Sequence, residues 1–112
     1  MGMAEYIKRN NAVYYKDEIW QADEKKVDDA DFKTFVELNK IYGKDSKNVF
    51  YEDRKLDNAD VKTFQAISDE LGKDKKYIYR YDEKMEVNPK DFQLYKNKDK
   101  IRYFRNNGKL YE

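Results

Sequence analysis

Apolar positions alternate between two settings along the chain. Short aromatic runs (Val13-Tyr14-Tyr15, Val49-Phe50-Tyr51, Tyr77-Ile78-Tyr79 and Ile101-Arg102-Tyr103-Phe104) read as strands. Between them the spacing widens. Phe35, Leu38 and Tyr42 share one face of a helix, as do Phe64, Ile67 and Leu71. Asp31, Asp60 and Asn88 are favoured N-cap residues, and Pro89 suits the first helical position. Ala30, Ala59 and Val87 stand where a hydrophobic staple would meet Phe35, Phe64 and Phe92. Gly43 and Gly72 suit the left-handed residue that ends a helix. The pattern predicts helices over 31–42, 60–71 and 89–96. Asn107-Gly108, between Tyr103-Phe104 and Lys109-Leu110-Tyr111, predicts a closing hairpin.

These elements repeat. Lys26-Val27-Asp28-Asp29-Ala30-Asp31-Phe32-Lys33-Thr34-Phe35 aligns with Lys55-Leu56-Asp57-Asn58-Ala59-Asp60-Val61-Lys62-Thr63-Phe64 at a shift of 29. The same shift relates Gly43-Lys44-Asp45 to Gly72-Lys73-Asp74, and a weaker copy follows at Val87-Asn88-Pro89-Lys90-Asp91-Phe92. The first unit carries about seven extra residues, around Lys16-Asp17-Glu18-Ile19-Trp20-Gln21-Ala22. The expectation is an α+β fold of tandem repeats of about 29 residues, each a β-hairpin plus a short helix. The repeats would form a twisted, mostly antiparallel sheet with helices on one side. Residues 1–112 would be a single domain of about three and a half repeats: 8–42, 43–71, 72–97 and 98–112.

Lys44-Asp45-Ser46-Lys47-Asn48-Val49-Phe50-Tyr51, Lys73-Asp74-Lys75-Lys76-Tyr77-Ile78-Tyr79 and the segments 30–35 and 59–64 resemble the bacterial DKNYY repeat family. The resemblance covers roughly residues 8–111. Val87-Asn88-Pro89-Lys90-Asp91-Phe92 keeps a proline common at that point of the family pattern, where the first two units have Phe32 and Val61. The resemblance supports the repeat and implies no catalytic residues.

Composition limits the chemistry. Charged residues make up 42%, but 24 basic and 23 acidic side chains leave a net charge of only +1. That balance argues against a nucleic-acid binder, which needs a basic excess to neutralise phosphates. Aromatics at 16% supply a core despite the low hydrophobicity. No apolar run is long enough to cross a membrane as a helix, so no membrane insertion is expected. There is no cysteine and no histidine, which removes disulfides, thiol chemistry and the commonest general base. Thr34, Thr63, Ser46 and Ser68 are the hydroxyl nucleophiles to consider, and turns and helix starts explain Ser46 and the two threonines. Asp28-Asp29-Ala30-Asp31 and Asp57-Asn58-Ala59-Asp60 invite a calcium reading. An EF-hand counted from Asp29 would have Thr34 and Lys40 where glycine and glutamate belong, and one counted from Asp57 would have Lys62 and Ser68. Capping and solvated turns account for both clusters. A carboxylate pair such as Asp53 with Asp82 or Glu83 would need the fold to assemble it. The expectation is no enzyme, no cofactor and no metal.

The aromatic strands leave two readings open. Strand alternation puts Tyr77, Tyr79 and Tyr81 on one face, with Ile78 and Arg80 on the other. Alignment adds Val13, Tyr15, Val49 and Tyr51 to the tyrosine face. That face is either a cross-strand ladder or an exposed platform for a protein partner, since Tyr, Trp and Arg dominate interfaces. Trp20, in the insertion, joins the platform or plugs the core's open end. The candidate partner-binding residues are Trp20, Tyr15, Tyr51, Tyr77, Tyr79, Tyr81 and Arg80. The leading expectation is a non-catalytic protein–protein interaction module, of immunity or inhibitor type, that is a monomer or weak homodimer. The alternative is a secreted or envelope-associated protein binding glycan or cell-wall polymer. A native N-terminus would indicate the cytoplasm, and a removed signal peptide the envelope or secretion.

Overall fold

The computed structural model describes residues 4–17, 24–85, 89, 93–97, 100–104 and 110–111, with side chains described from Glu5 to Pro89. Among them the fold is all β, in four small antiparallel sheets. The first holds β1 (Ala4–Arg9), β2 (Ala12–Asp17) and β3 (Lys25–Lys26) in that order. The second holds β4 (Val36–Glu37), β5 (Tyr42–Lys44), β6 (Val49–Tyr51) and β7 (Arg54–Lys55). The third holds β8 (Gln65–Ala66), β9 (Leu71–Lys73), β10 (Ile78–Arg80) and β11 (Glu83–Met85). The last holds β12 (Gln93–Asn97), β13 (Lys100–Phe104) and β14 (Leu110–Tyr111).

The pairing repeats with the sequence. Tyr42 opposes Tyr51 and Gly43 opposes Phe50, while Leu71 opposes Arg80 and Gly72 opposes Tyr79, a shift of 29 throughout. In the first sheet Tyr6 opposes Tyr15 and Lys8 opposes Val13, matching Tyr42–Tyr51 and Lys44–Val49 at a shift of 36. The extra seven positions fall between β2 and β3, the connection that contains Trp20. The β1–β2 hairpin closes on Asn10-Asn11, both left-handed (φ 54° and 61°), in the sense that matches the twist of the strands. Asparagine tolerates that conformation best among residues with a Cβ. Tyr103 opposes Tyr111 and Phe104 opposes Leu110, so the last strands form a hairpin whose turn, Asn107-Gly108, lies outside the described residues.

The expected α+β architecture is overturned: no α-helix occurs among the described residues. Where a helix was expected over 31–42, a single turn forms. The Asp31 carbonyl accepts from the N–H groups of Thr34 (3.2 Å) and Phe35 (2.9 Å), and the chain then leaves as β4. Asn39 stops any continuation, because its Oδ1 accepts from the Ile41 and Tyr42 N–H groups at 3.0 and 2.8 Å. Ser68 does the same over 60–71, accepting from Glu70 and Leu71. Short polar side chains that satisfy the backbone locally compete with a helix in this way. The third expected helix, 89–96, is strand β12 from Gln93 onward.

Gly43 and Gly72 do not end helices, and neither takes a left-handed φ. They are buried in β5 and β9. A Cβ on Gly43 would stand 2.3 Å from Cζ of Phe35, and one on Gly72 would stand 2.4 Å from Cζ of Phe64. Each phenylalanine sets the Cζ end of its ring against a bare backbone. The first core cluster comprises Val13, Tyr15, Val27, Phe35 and Phe50, and the second Ile41, Tyr42, Val49, Leu56, Phe64 and Tyr79. Each cluster is therefore closed by a ring from the following sheet. Phe50 meets Phe35 and Tyr79 meets Phe64, both at 5.8 Å between centroids.

Candidate functional site

Four recurring aspartates and two recurring threonines are committed to the backbone and to one another. Asp45 and Asp74 are buried. Asp45 Oδ1 accepts from the N–H groups of Lys47 and Asn48 (2.8 and 2.7 Å), and Oδ2 accepts from the Asp31 N–H (2.8 Å). Asp74 repeats this with Lys76, Tyr77 and Asp60, and its Oδ2 also accepts from the Tyr79 hydroxyl at 3.0 Å. Burying a carboxylate is costly unless donors converge on it, and here they do. Asp31 and Asp60 do cap their single turns. Asp31 accepts from the Lys33 N–H (3.2 Å) and the Thr34 hydroxyl (2.9 Å). The Thr63 hydroxyl bonded to Asp60 is the leading cause holding that carboxyl below its ordinary range. Thr34 and Thr63 in turn accept from the N–H groups of Ser46 and Lys75 (3.0 and 2.9 Å). The hydroxyls considered as nucleophiles at 34 and 63 thus belong to a duplicated latch between a turn and the next strand pair.

The remaining acidic residues of the two clusters make turns. Asp29 and Asn58 take left-handed φ (67° and 70°), while Ala30 and Ala59 N–H groups reach back to Val27 and Leu56 carbonyls. No group of three or more metal-ligating side chains assembles among the described residues.

The tyrosines divide differently from the expected ladder. Tyr79 corresponds to Phe50, not to Tyr51, so the alignment behind the tyrosine face was one residue out of register. One residue of slip exchanges the two faces of a strand. Tyr15 and Tyr79 are core residues, at 5% and 1% exposure. Tyr77 is half-buried against Tyr79, with the Lys84 ammonium over its ring at 4.4 Å. Trp20 lies outside the described residues. Tyr51, half-buried, and the exposed Tyr81 stand together along the edge made by the β6–β7 and β10–β11 turns, and Arg80 is exposed at the end of β10. Tyr81 is 43% exposed, and its ring stands 6.2 Å from that of Tyr51. The Arg54 guanidinium lies over Tyr51 at 5.3 Å and pairs with Asp82 at 3.6 Å, while Arg80 pairs with Glu70 at 3.2 Å. Burial first, and then the Glu52 and Asp82 charges, push the pKa of the Tyr51 phenol up to about 12.

This edge is built by two equivalent residues in a costly conformation. Glu52 and Tyr81 open their turns with left-handed φ (52° and 55°). Their N–H groups donate to the Ile41 and Glu70 carbonyls (2.7 and 2.8 Å), pinning each turn to the loop before it. Sequence reasoning passed over Arg54 and Asp82 as contributors to a binding surface. The signal for Arg54 was its place directly after the Glu52-Asp53 turn.

The DKNYY family model matches residues 6–112. The chain belongs to the DKNYY family. In this DKNYY chain the aspartate of the signature is the buried latch at 45 and 74, and the aromatic residues after it close the preceding core. No curated protein and no solved structure matches the chain.

Proposed function

We propose that this DKNYY chain is a non-catalytic protein-binding module, of immunity or inhibitor type, that engages its partner through the turn edge bearing Tyr51, Arg54, Arg80, Tyr81 and Asp82. One observation carries the reading: Tyr81, a large ring held out at 43% exposure, beside two arginines and a second tyrosine. Tyrosine and arginine supply most of the energy at protein interfaces, at little entropic cost when they are already held in place. The recurring carboxylates and hydroxyls of the latch are engaged by backbone N–H groups and by one another, which ties them to the fold.

The experiment is affinity purification of the partner followed by calorimetric titration with variants. Tyr81→Asn removes the ring but suits the left-handed turn, so the fold is retained. Arg54→Ala removes the guanidinium. Binding at least tenfold weaker in both, with unchanged melting temperatures, is the expected result. Undiminished affinity in both folded variants would sink the proposal.

A further inference from the structure

The second and third sheets each hold a strand for which the first has no counterpart among the described residues. On β5, Lys44 pairs with Val36 of β4, and on β9, Lys73 pairs with Gln65 of β8. β1 takes the place of β5 and β9 in the repeat, yet the first sheet runs β1-β2-β3 and β1 is its edge. Arg9 and Ala12 close the two-residue turn, so alternation along the ladder points the main-chain groups of Ile7 toward β2 and those of Tyr6 and Lys8 away. In the later sheets the equivalent outward groups are engaged. The Tyr42 carbonyl accepts from the Leu38 and Asn39 N–H groups, and the Leu71 carbonyl from those of Ile67 and Ser68. On β1 the Tyr6 N–H donates to Glu37 Oε2 at 3.0 Å, as the Tyr42 and Leu71 N–H groups donate to the side chains of Asn39 and Ser68. The Tyr6 carbonyl and both main-chain groups of the exposed Lys8 have no hydrogen-bond partner among the described residues. The Lys8 side chain does not shield them. Its ammonium donates to the Phe35 carbonyl at 3.1 Å and lies over the Phe32 ring.

We infer that the β1 edge takes up an extended segment of a partner protein, added as an antiparallel strand in the way that β4 lies on β5 and β8 on β9. Strand addition at an open edge draws affinity from main-chain hydrogen bonds and specificity from the side-chain positions beside them. The covering strands of the later sheets define those positions. Each follows a phenylalanine whose ring meets a glycine, Phe35 on Gly43 and Phe64 on Gly72, where a Cβ would stand 2.3 and 2.4 Å from the ring. At the same place β1 has Ile7, half-buried and opposite Tyr14 as Gly43 is opposite Phe50. The ring seat is therefore filled, and a segment docked here carries a small residue in place of the phenylalanine. It also needs an N–H opposite Lys8, which excludes proline at that point. The inference does not rest on the turn edge at Tyr81.

Amide exchange and chemical shifts of the full chain test this, with a synthetic peptide of residues 33–41 carrying Phe35→Ala as the probe. In the free chain the Lys8 amide is expected to exchange at least about tenfold faster than those of Lys44 and Lys73. The peptide should shift the Tyr6, Ile7 and Lys8 amides and slow Lys8 exchange at least about tenfold. Its natural Phe35 form should bind more weakly, and a form that adds Val36→Pro should leave Lys8 exchange unchanged. Ile7→Gly in the chain, with its fold checked from the remaining amide signals, should reverse the preference between the alanine and phenylalanine forms. Protection of Lys8 in the dilute free chain would mean the edge is already covered and would overturn the inference. No slowing at millimolar peptide, or equal slowing by the proline form, would do the same. Protection that grows with chain concentration alone would assign the edge to a second copy and reject the partner segment. Tyr81→Asn should leave every one of these results unchanged, so failure at β1 and failure of the turn edge are read separately.

Discussion

Phe35 and Phe64 rest on glycines because nothing larger leaves room for a ring at that distance. Gly43→Ala should therefore cost about 1–3 kcal/mol, the usual range for overpacking, measured by urea denaturation. Phe35→Leu should recover part of the loss when combined with it. Asp45→Asn and Asp74→Asn each turn an amide donor toward backbone donors, and each should cost roughly 1–3 kcal/mol. Asp74→Asn should cost more, since Asp74 also holds the Tyr79 hydroxyl. Glu52→Gln should stabilise the protein at neutral pH. A carboxyl whose pKa is raised by folding contributes stability present below the ordinary glutamate value and lost as pH rises through the raised one, and glutamine removes that loss. The caps at Asp31 and Asp60 were legible in the sequence, because a capping residue acts within its own turn. The latch at Asp45 and Asp74 was not. A Lys-Asp pair in so charged a chain reads as solvated turn, and its amide partners fourteen residues back are brought near only by the fold.

The elements were misread for a reason visible in the same residues. Phe35, Leu38 and Tyr42 stand at intervals that suit a helix, but a turn, a two-residue strand and a second turn carry Phe35 into the first core cluster and Leu38 and Tyr42 to the second. Asn39 and Ser68 decide between the two, since each satisfies two backbone N–H groups that a helix would have used. Asn39→Ala should cost about 1 kcal/mol through those bonds, and more if its amide donation to the Ser68 carbonyl (2.9 Å) couples the two turns. Circular dichroism of the wild type should lack the double minimum of an α-helix, and Asn39→Ala should melt earlier without gaining one. Strand positions were legible where aromatic residues cluster. Strand register was not, because Tyr51 and Tyr79 share a residue type but not a place.

Across the whole molecule the buried phenols set the alkaline limit. Burial raises the pKa of Tyr42 and Tyr79, which are almost wholly enclosed, and of Tyr6 and Tyr15. Folding stability from a raised phenol is intact below its ordinary value near 10 and is lost as pH rises beyond it. Each of Tyr42 and Tyr79 should therefore remove about 1.4 kcal/mol per pH unit above that point. Phenolate absorbance should appear in one step together with unfolding, and independent titration of these tyrosines in a folded protein would refute the expectation. The repeat itself was readable from the chain, but the way its units lock was not, since the closing rings come from residues outside the unit they complete. That interlock bears on synthesis. A ribosome delivers the chain from its N-terminus, and the first cluster has no lid until Phe50 has emerged. Each unit thus waits, unfinished, for the next to leave the exit tunnel, and a pause in translation within β6 or β10 would leave a half-closed core open to water.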